Sequence, residues 1–157
     1  MKQKENPEML TSHPQIKVYY TGSDEFTPEY ASELASGADL LANIIESVML
    51  MPGERVLIPT GVCLDIPVGY EAQVRSRSGL AWKFGIVCLN SPGTIDADFR
   101  GEIQVILANM SQENFLISPG MRIAQLVFAP VVQVCFVSQN SLSSSHRGDN
   151  GFGSTGI

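Results

Sequence analysis

YEAQVRSR, residues 70–77, alternates without a break: Tyr70, Ala72 and Val74 fall on one face, Glu71, Gln73 and Arg75 on the other. A period of two with apolar residues on one side is the pattern of a half-buried strand. Working outward, further runs read the same way. IKVYY (16–20) is rich in β-branched and aromatic residues, and RVLIPTGV (55–62) carries a Pro-Thr-Gly break suited to a turn or an edge. GEIQVILANM (101–110) and RIAQLVFAPVVQVCFV (122–137) are longer apolar runs, the second interrupted by Pro130. The turn signals PGER, SPGT and SPGM separate them. Many short strands with Gly and Pro turns predict an all-β sandwich or barrel.

Helical signals are few. TPEYASELA (27–35) has a Thr cap, Pro at the first helical position and Glu in the first turn, and predicts one short helix or turn. SGLAWKFG (78–85) suits a second short turn. Three segments follow: a loose polar tail over residues 1–15, a β-barrel domain over 16–137, and a Ser-rich linker with a C-terminal arm over 138–157.

Composition narrows the class. The chain has 157 residues, 44% apolar and 17% charged, which suits one globular domain. It has no apolar run long enough to span a membrane and no secretory-type stretch near Met1. Three scattered cysteines, Cys63, Cys88 and Cys135, predict reduced thiols and a cytoplasmic setting. With His13 and His146 as its two histidines, the chain is a poor zinc binder. A net charge of −6 argues against a nucleic-acid groove, though not against holding a single nucleotide.

GFGSTG (151–156) fits G-x-G-x-x-G, but a dinucleotide turn needs a helix after it, and one residue remains. It reads instead as a clamp on the arm. Glycines let backbone approach a ligand, Arg147 brings charge, Ser154 and Thr155 bring hydroxyls, and Phe152 brings a flat face. Four other segments carry candidate chemistry. RSRSGLAW (75–82) offers arginine forks and serine hydroxyls for an anion. NSPGTIDADFRGEI (90–103) holds Asp96 and Asp98, with a turn expected at Asp98, Phe99, Arg100 and Gly101. ASGADLLA (35–42) sets Asp39 before an apolar run, and PGMRIAQLVF (119–128) sets Arg122 and Gln125 in an apolar strand, where polar groups need partners.

These five segments, in this order and spacing over about residues 16–157, resemble the trimeric dUTPase family. The resemblance implies a jelly-roll-type distorted β-barrel, a homotrimer, and hydrolysis of dUTP to dUMP and pyrophosphate with Mg2+. It implies active sites shared by subunits: the first, second and fourth segments from one, the third from a neighbour, the arm from the remaining one. By the same resemblance Asp96 is the carboxylate that activates water. Asn90 and the backbone of Thr94, Ile95 and Asp96 read uracil, and Gln104 adds a base contact. Phe99, where the family usually has tyrosine, packs against the deoxyribose. Arg77, Ser78 and Gly79 bind phosphates. The Mg2+ is held mainly by phosphates and water, with Asp39 and Gln125 outside its first shell. Arg147, Gly153, Ser154 and Thr155 close on the γ-phosphate and Phe152 stacks on uracil. Asn150 stands where a glycine is common.

Two other readings compete. The dCTP deaminases share the fold, but need a glutamate where Ile106 stands, and Glu102 lies too near the turn. A non-catalytic binding module has no need of Asp96 together with Ser78 and the arm.

Overall fold

The computed structural model describes residues 16–151. The tail over 1–15 lies outside them, as do Phe152, Gly153, Ser154 and Thr155. Among the described residues there are twelve strands, one α-helix and a single 3-10 turn at Asp24–Phe26. The strands are β1 (Tyr19–Thr21), β2 (Glu29–Tyr30), β3 (Ala38–Leu41), β4 (Val48–Leu50), β5 (Arg55–Pro59) and β6 (Cys63–Asp65). β7 (Tyr70–Ser76) leads into the helix α1 (Ser78–Phe84). Then come β8 (Ile86–Cys88), β9 (Gly93–Ile95), β10 (Gln104–Asn109), β11 (Phe115–Ile117) and β12 (Arg122–Pro130).

The largest sheet has the order β2-β3-β12-β7-β9, all antiparallel. A second sheet runs β5-β10-β8, and two pairs, β1-β6 and β11-β4, complete the shell. The four sheets do not join into one hydrogen-bonded ring. They are held together by one core, to which β3, β4, β5, β6, β7, α1, β8, β10, β11 and β12 all contribute buried apolar residues. The fold is therefore all-β with one short helix.

The alternation that opened the reading places the core as expected. Ala72 and Val74 are buried and Tyr70 packs against the cluster, while Glu71, Gln73 and Arg75 form an outward ladder. Gln73 Nε2 donates to Glu71 Oε1 at 2.6 Å, and Arg75 Nη2 to Gln73 Oε1 at 2.6 Å. On β12 a register shift between Arg122 and Ala124 lets both Ile123 and Ala124 turn inward, as a bulge does.

Two expectations need correction and one is narrowed. Of the helix or turn expected over residues 27–35 the turn is present and the helix is not: Glu29 and Tyr30 pair with β3, and a turn follows in which the Ala35 N–H donates to Ser32 O. The cap residues there precede no helical apolar stripe, so strand pairing wins. Residues 78–84 are a helix and not merely a turn; Leu80 anchors it in the core. Its end is set by Gly85 at φ 67°, whose N–H donates to Ala81 O at 3.1 Å, a left-handed cap. The turn expected at residues 98–101 starts earlier, with the Phe99 N–H donating to Asp96 O at 3.1 Å. It joins β9 and β10, which belong to different sheets.

β12 ends at Pro130, which offers no N–H to extend the ladder. Residues 131–150 are exposed and carry no strand, so the apolar run 131–137, expected inside the barrel, leaves the core of its own chain.

Candidate active site

Strand register assembles the first part of the site. Asp39 on β3 lies opposite Gln125 on β12, which lies opposite Arg75 on β7, so all three share the outer face of the large sheet. Asp39 is nonetheless buried, because two arginines close over it. Arg77 Nε donates to Asp39 Oδ1 at 3.0 Å, and Arg122 Nη1 to Asp39 Oδ2 at 3.4 Å. Arg77 Nη1 also donates to Arg122 O at 3.3 Å. The guanidinium is thus held by two of its nitrogens, and Nη2 has no partner among the described residues. Arg77 is also the N-cap residue of α1. Next to it, Ser78 and Gly79 are exposed, and the N–H groups of a helix's first turn have no acceptor within the helix.

Asn90 belongs to the same end of β7. It lies in the link from β8 to β9, where the chain passes from one sheet to the other. The Ser76 N–H donates to Ser91 Oγ at 3.4 Å and the Cys88 N–H to Ser76 Oγ at 2.8 Å, tying that link to the strand. Burial pushes the Cys88 thiol above its ordinary pKa, so it stays protonated and packs as a small apolar group.

Asp96 sits at the other end. β9 pairs Gly93 with Val74, Thr94 with Gln73 and Ile95 with Ala72. The next step sets Asp96 level with Glu71, six residues from Arg77. At about 3.3 Å per strand residue that separates Asp96 from Arg77 and Ser78 of its own chain by roughly 20 Å. Asp96 is exposed and lines a cleft of about 470 Å³ with Tyr70, Glu71, Asp98, Val131 and Gln133. Phe99, 42% exposed, follows on the same turn. Arg100 braces that turn: Nη1 donates to Ala97 O at 2.6 Å and Phe99 O at 3.0 Å, and Nη2 pairs with Asp65 at 2.5 Å. Gln104 opens β10, exposed and opposite Pro59. Arg147 lies beyond the barrel, its Nε donating to Asn150 O at 2.8 Å.

Comparison with known proteins decides the family. The dUTPase family model matches residues 25–156. The chain belongs to the dUTPase family.

Its relatives include the deoxyuridine 5'-triphosphate nucleotidohydrolase of Chlamydia muridarum, 62% identical over 130 residues, covering 82% of this chain and 90% of that protein. That of Chlamydia felis is 58% identical over 132 residues, with the same coverage. Among solved structures, the Staphylococcus bacteriophage 80alpha dUTPase with dUPNHPP has a TM-score of 0.77 at 28% identity, covering 91% of this chain and 100% of that one. A mutant of the 80alpha phage dUTPase gives 0.78 at 28%, covering 88% and 98%. The fold is thus the jelly-roll-like one of these dUTPases, and the chain is an enzyme that hydrolyses dUTP.

Within one dUTPase chain, then, the structure gathers Arg77, Ser78, Gly79, Asp39, Gln125 and the Asn90 link at one end of β7. It sets Asp96 and Phe99 at the other. Arg122, expected from the sequence only to need a partner, finds it in Asp39 on the adjacent strand β3. The Arg100–Asp65 pair was not foreseen, since nothing local links residues 35 apart.

Proposed function

We propose that this dUTPase is a Mg2+-assisted diphosphatase whose active sites are each completed by three subunits of a homotrimer. The observation carrying this is the length of β7 between Asp96 and Arg77. A carboxylate that activates water at the α-phosphorus and a serine beside the α,β-bridging oxygen must meet within a few ångströms. In one chain they stand apart, so a neighbour's Asp96 has to supply the carboxylate. The exposure of Phe136 (94%) and Val132 (86%) beyond Pro130 supports an arm that finds its cover on another subunit.

In this reading Arg77, pre-set by Asp39, presents its remaining N–H edge to the phosphates with Ser78 and Gly79. Asp96 takes a proton from water as its oxygen attacks the α-phosphorus in line; the bond to the bridging oxygen breaks and pyrophosphate leaves. Asn90, with Thr94, Ile95 and Gln104, reads the uracil edge, and such hydrogen bonding rejects cytosine, whose donor and acceptor pattern is reversed. Phe99 covers the deoxyribose. Arg147 brings the arm, with Phe152, Gly153, Ser154 and Thr155, over the γ-phosphate and base.

The donor set fits an ion held mostly by substrate and water. Among the described residues no three His, Cys, Asp or Glu side chains converge, and both Asp39 oxygens already accept from arginine. When bound, Mg2+ would neutralise charge on the phosphates, while Asp39 and Gln125 orient groups at its margin. The dUMP formed supplies dTMP synthesis, and removal of dUTP keeps uracil out of DNA. We assign this work to the cytoplasm.

Incubation with dUTP and Mg2+ tests the reading: pyrophosphate and dUMP are expected. Asp96→Asn should keep a non-hydrolysable dUTP analogue bound while turnover falls by about 10²-fold or more; near-normal turnover would remove Asp96 from its role. Deamination of dCTP gains nothing from the structure. Glu102 Oε1 is occupied by the Gly61 N–H at 2.7 Å, and by resemblance to the deaminases Ile106 stands where they need a glutamate.

A further inference from the structure

We infer that Gly101 is a specificity-determining residue of this dUTPase, acting through Phe99: its missing side chain is the space in which the Phe99 ring lies. This rests on the reading of Phe99 as the cover of the deoxyribose.

A Cβ built on Gly101 would lie 2.6 Å from Phe99 Cζ and 3.0 Å from Cε2. Carbon atoms rest at about 3.5 Å or more, so any side chain there displaces the ring by roughly 0.9 Å. The backbone gives no other reason for glycine, because Gly101 lies outside the left-handed region that other glycines of the chain adopt.

The ring must be the part that yields. The Phe99 N–H donates to Asp96 O, and Arg100 Nη1 binds Phe99 O and Ala97 O while Nη2 holds Asp65. The backbone at Phe99 is therefore held on both its N–H and its C=O. The ring, 42% exposed, has room to swing outward. Such a swing leaves Asp96 in place, yet uncovers the face that excludes a 2′-hydroxyl. Gly101 thus separates sugar selection from water activation on one turn.

The test compares kcat/KM for dUTP and UTP, with thermal melting, in the wild type, Phe99→Ala, Gly101→Ala and the double variant. Gly101→Ala should lower the dUTP preference by about tenfold or more, the scale of one lost steric contact, with dUTP turnover reduced much less. The double variant should match Phe99→Ala in both selectivity and melting temperature, because without the ring there is nothing for the new methyl to strike. If Phe99→Ala relaxes selection and Gly101→Ala does not, the inference fails and the Phe99 reading stands. If neither relaxes it, the Phe99 reading fails and takes the inference with it. If Gly101→Ala does not fold, a double variant that folds like Phe99→Ala supports the inference, and one that also fails overturns it.

Discussion

Replacing Asp39 with alanine removes the carboxylate that, among the described residues, pairs with both Arg77 and Arg122. The Arg77 contact is the stronger: 3.0 Å, with side-chain exposures of 25% and 9%. A charge-assisted hydrogen bond of this partly buried kind contributes about 1.5–3 kcal/mol. The Arg122 contact is 3.4 Å long and the arginine 56% exposed, so solvent screening reduces it to about 0–1 kcal/mol. Together the loss is about 2–4 kcal/mol, and for a chain of this size that lowers Tm by roughly 10 °C. The same change frees Arg77 to move from its pre-set position, so KM for dUTP should rise with the fall in stability. Differential scanning calorimetry at fixed protomer concentration gives the first number, and steady-state pyrophosphate release gives the second. A Tm within about 2 °C of the wild type, together with an unchanged KM, would refute the idea that Asp39 anchors the phosphate-binding arginine.

Three further outcomes follow. Asn109 is fully buried; its Nδ2 donates to Leu50 O and Glu113 O, and its Oδ1 accepts from the Ser111 N–H and Oγ. Asn109→Ala orphans these groups and should cost about 3–5 kcal/mol, measured by urea unfolding. Cys88, with its thiol pKa raised by burial, should resist alkylation in the native protein and react on unfolding. Its contribution to stability is full below the ordinary thiol pKa and is lost as pH rises through the higher folded value; a titration of Tm in alkali, compared with Cys88→Ala, reads it. Removing residues 147–157 should abolish most activity and leave the oligomer intact by light scattering, because the apolar stretch with Val132 and Phe136, which we propose is covered by another subunit, is retained.

How much of this the sequence carried depends on range. The Tyr70–Ser76 strand was legible because burial alternates with the local pattern. Pro130 marks a break in the run 122–137, but residues 131–137 are as apolar as the strand before them, so that β12 ends there is evident only in the structure. Residues 27–35 misled because cap and proline signals are local, whereas pairing with β3 is not. The Asp39 cluster was out of reach, since its partners lie 38 and 83 residues away and only strand register unites them. The resemblance already implies that Asp96 and Ser78 come from different subunits; the ladder of β7 with β9 supplies the physical reason, since it holds them at opposite ends of one strand.

The central claim is that Asp96 of one subunit serves the Arg77–Ser78 turn of another, and subunit mixing tests it most directly. Asp96→Asn and Ser78→Ala proteins, each inactive alone, are unfolded together in equal amounts and refolded. In a cyclic trimer every mixed assembly contains one site that takes an intact Ser78 from one subunit and an intact Asp96 from its neighbour. Random assembly should therefore restore about one quarter of wild-type activity. A mixture as inactive as its two components, with mixed trimers shown to have formed, would contradict the account.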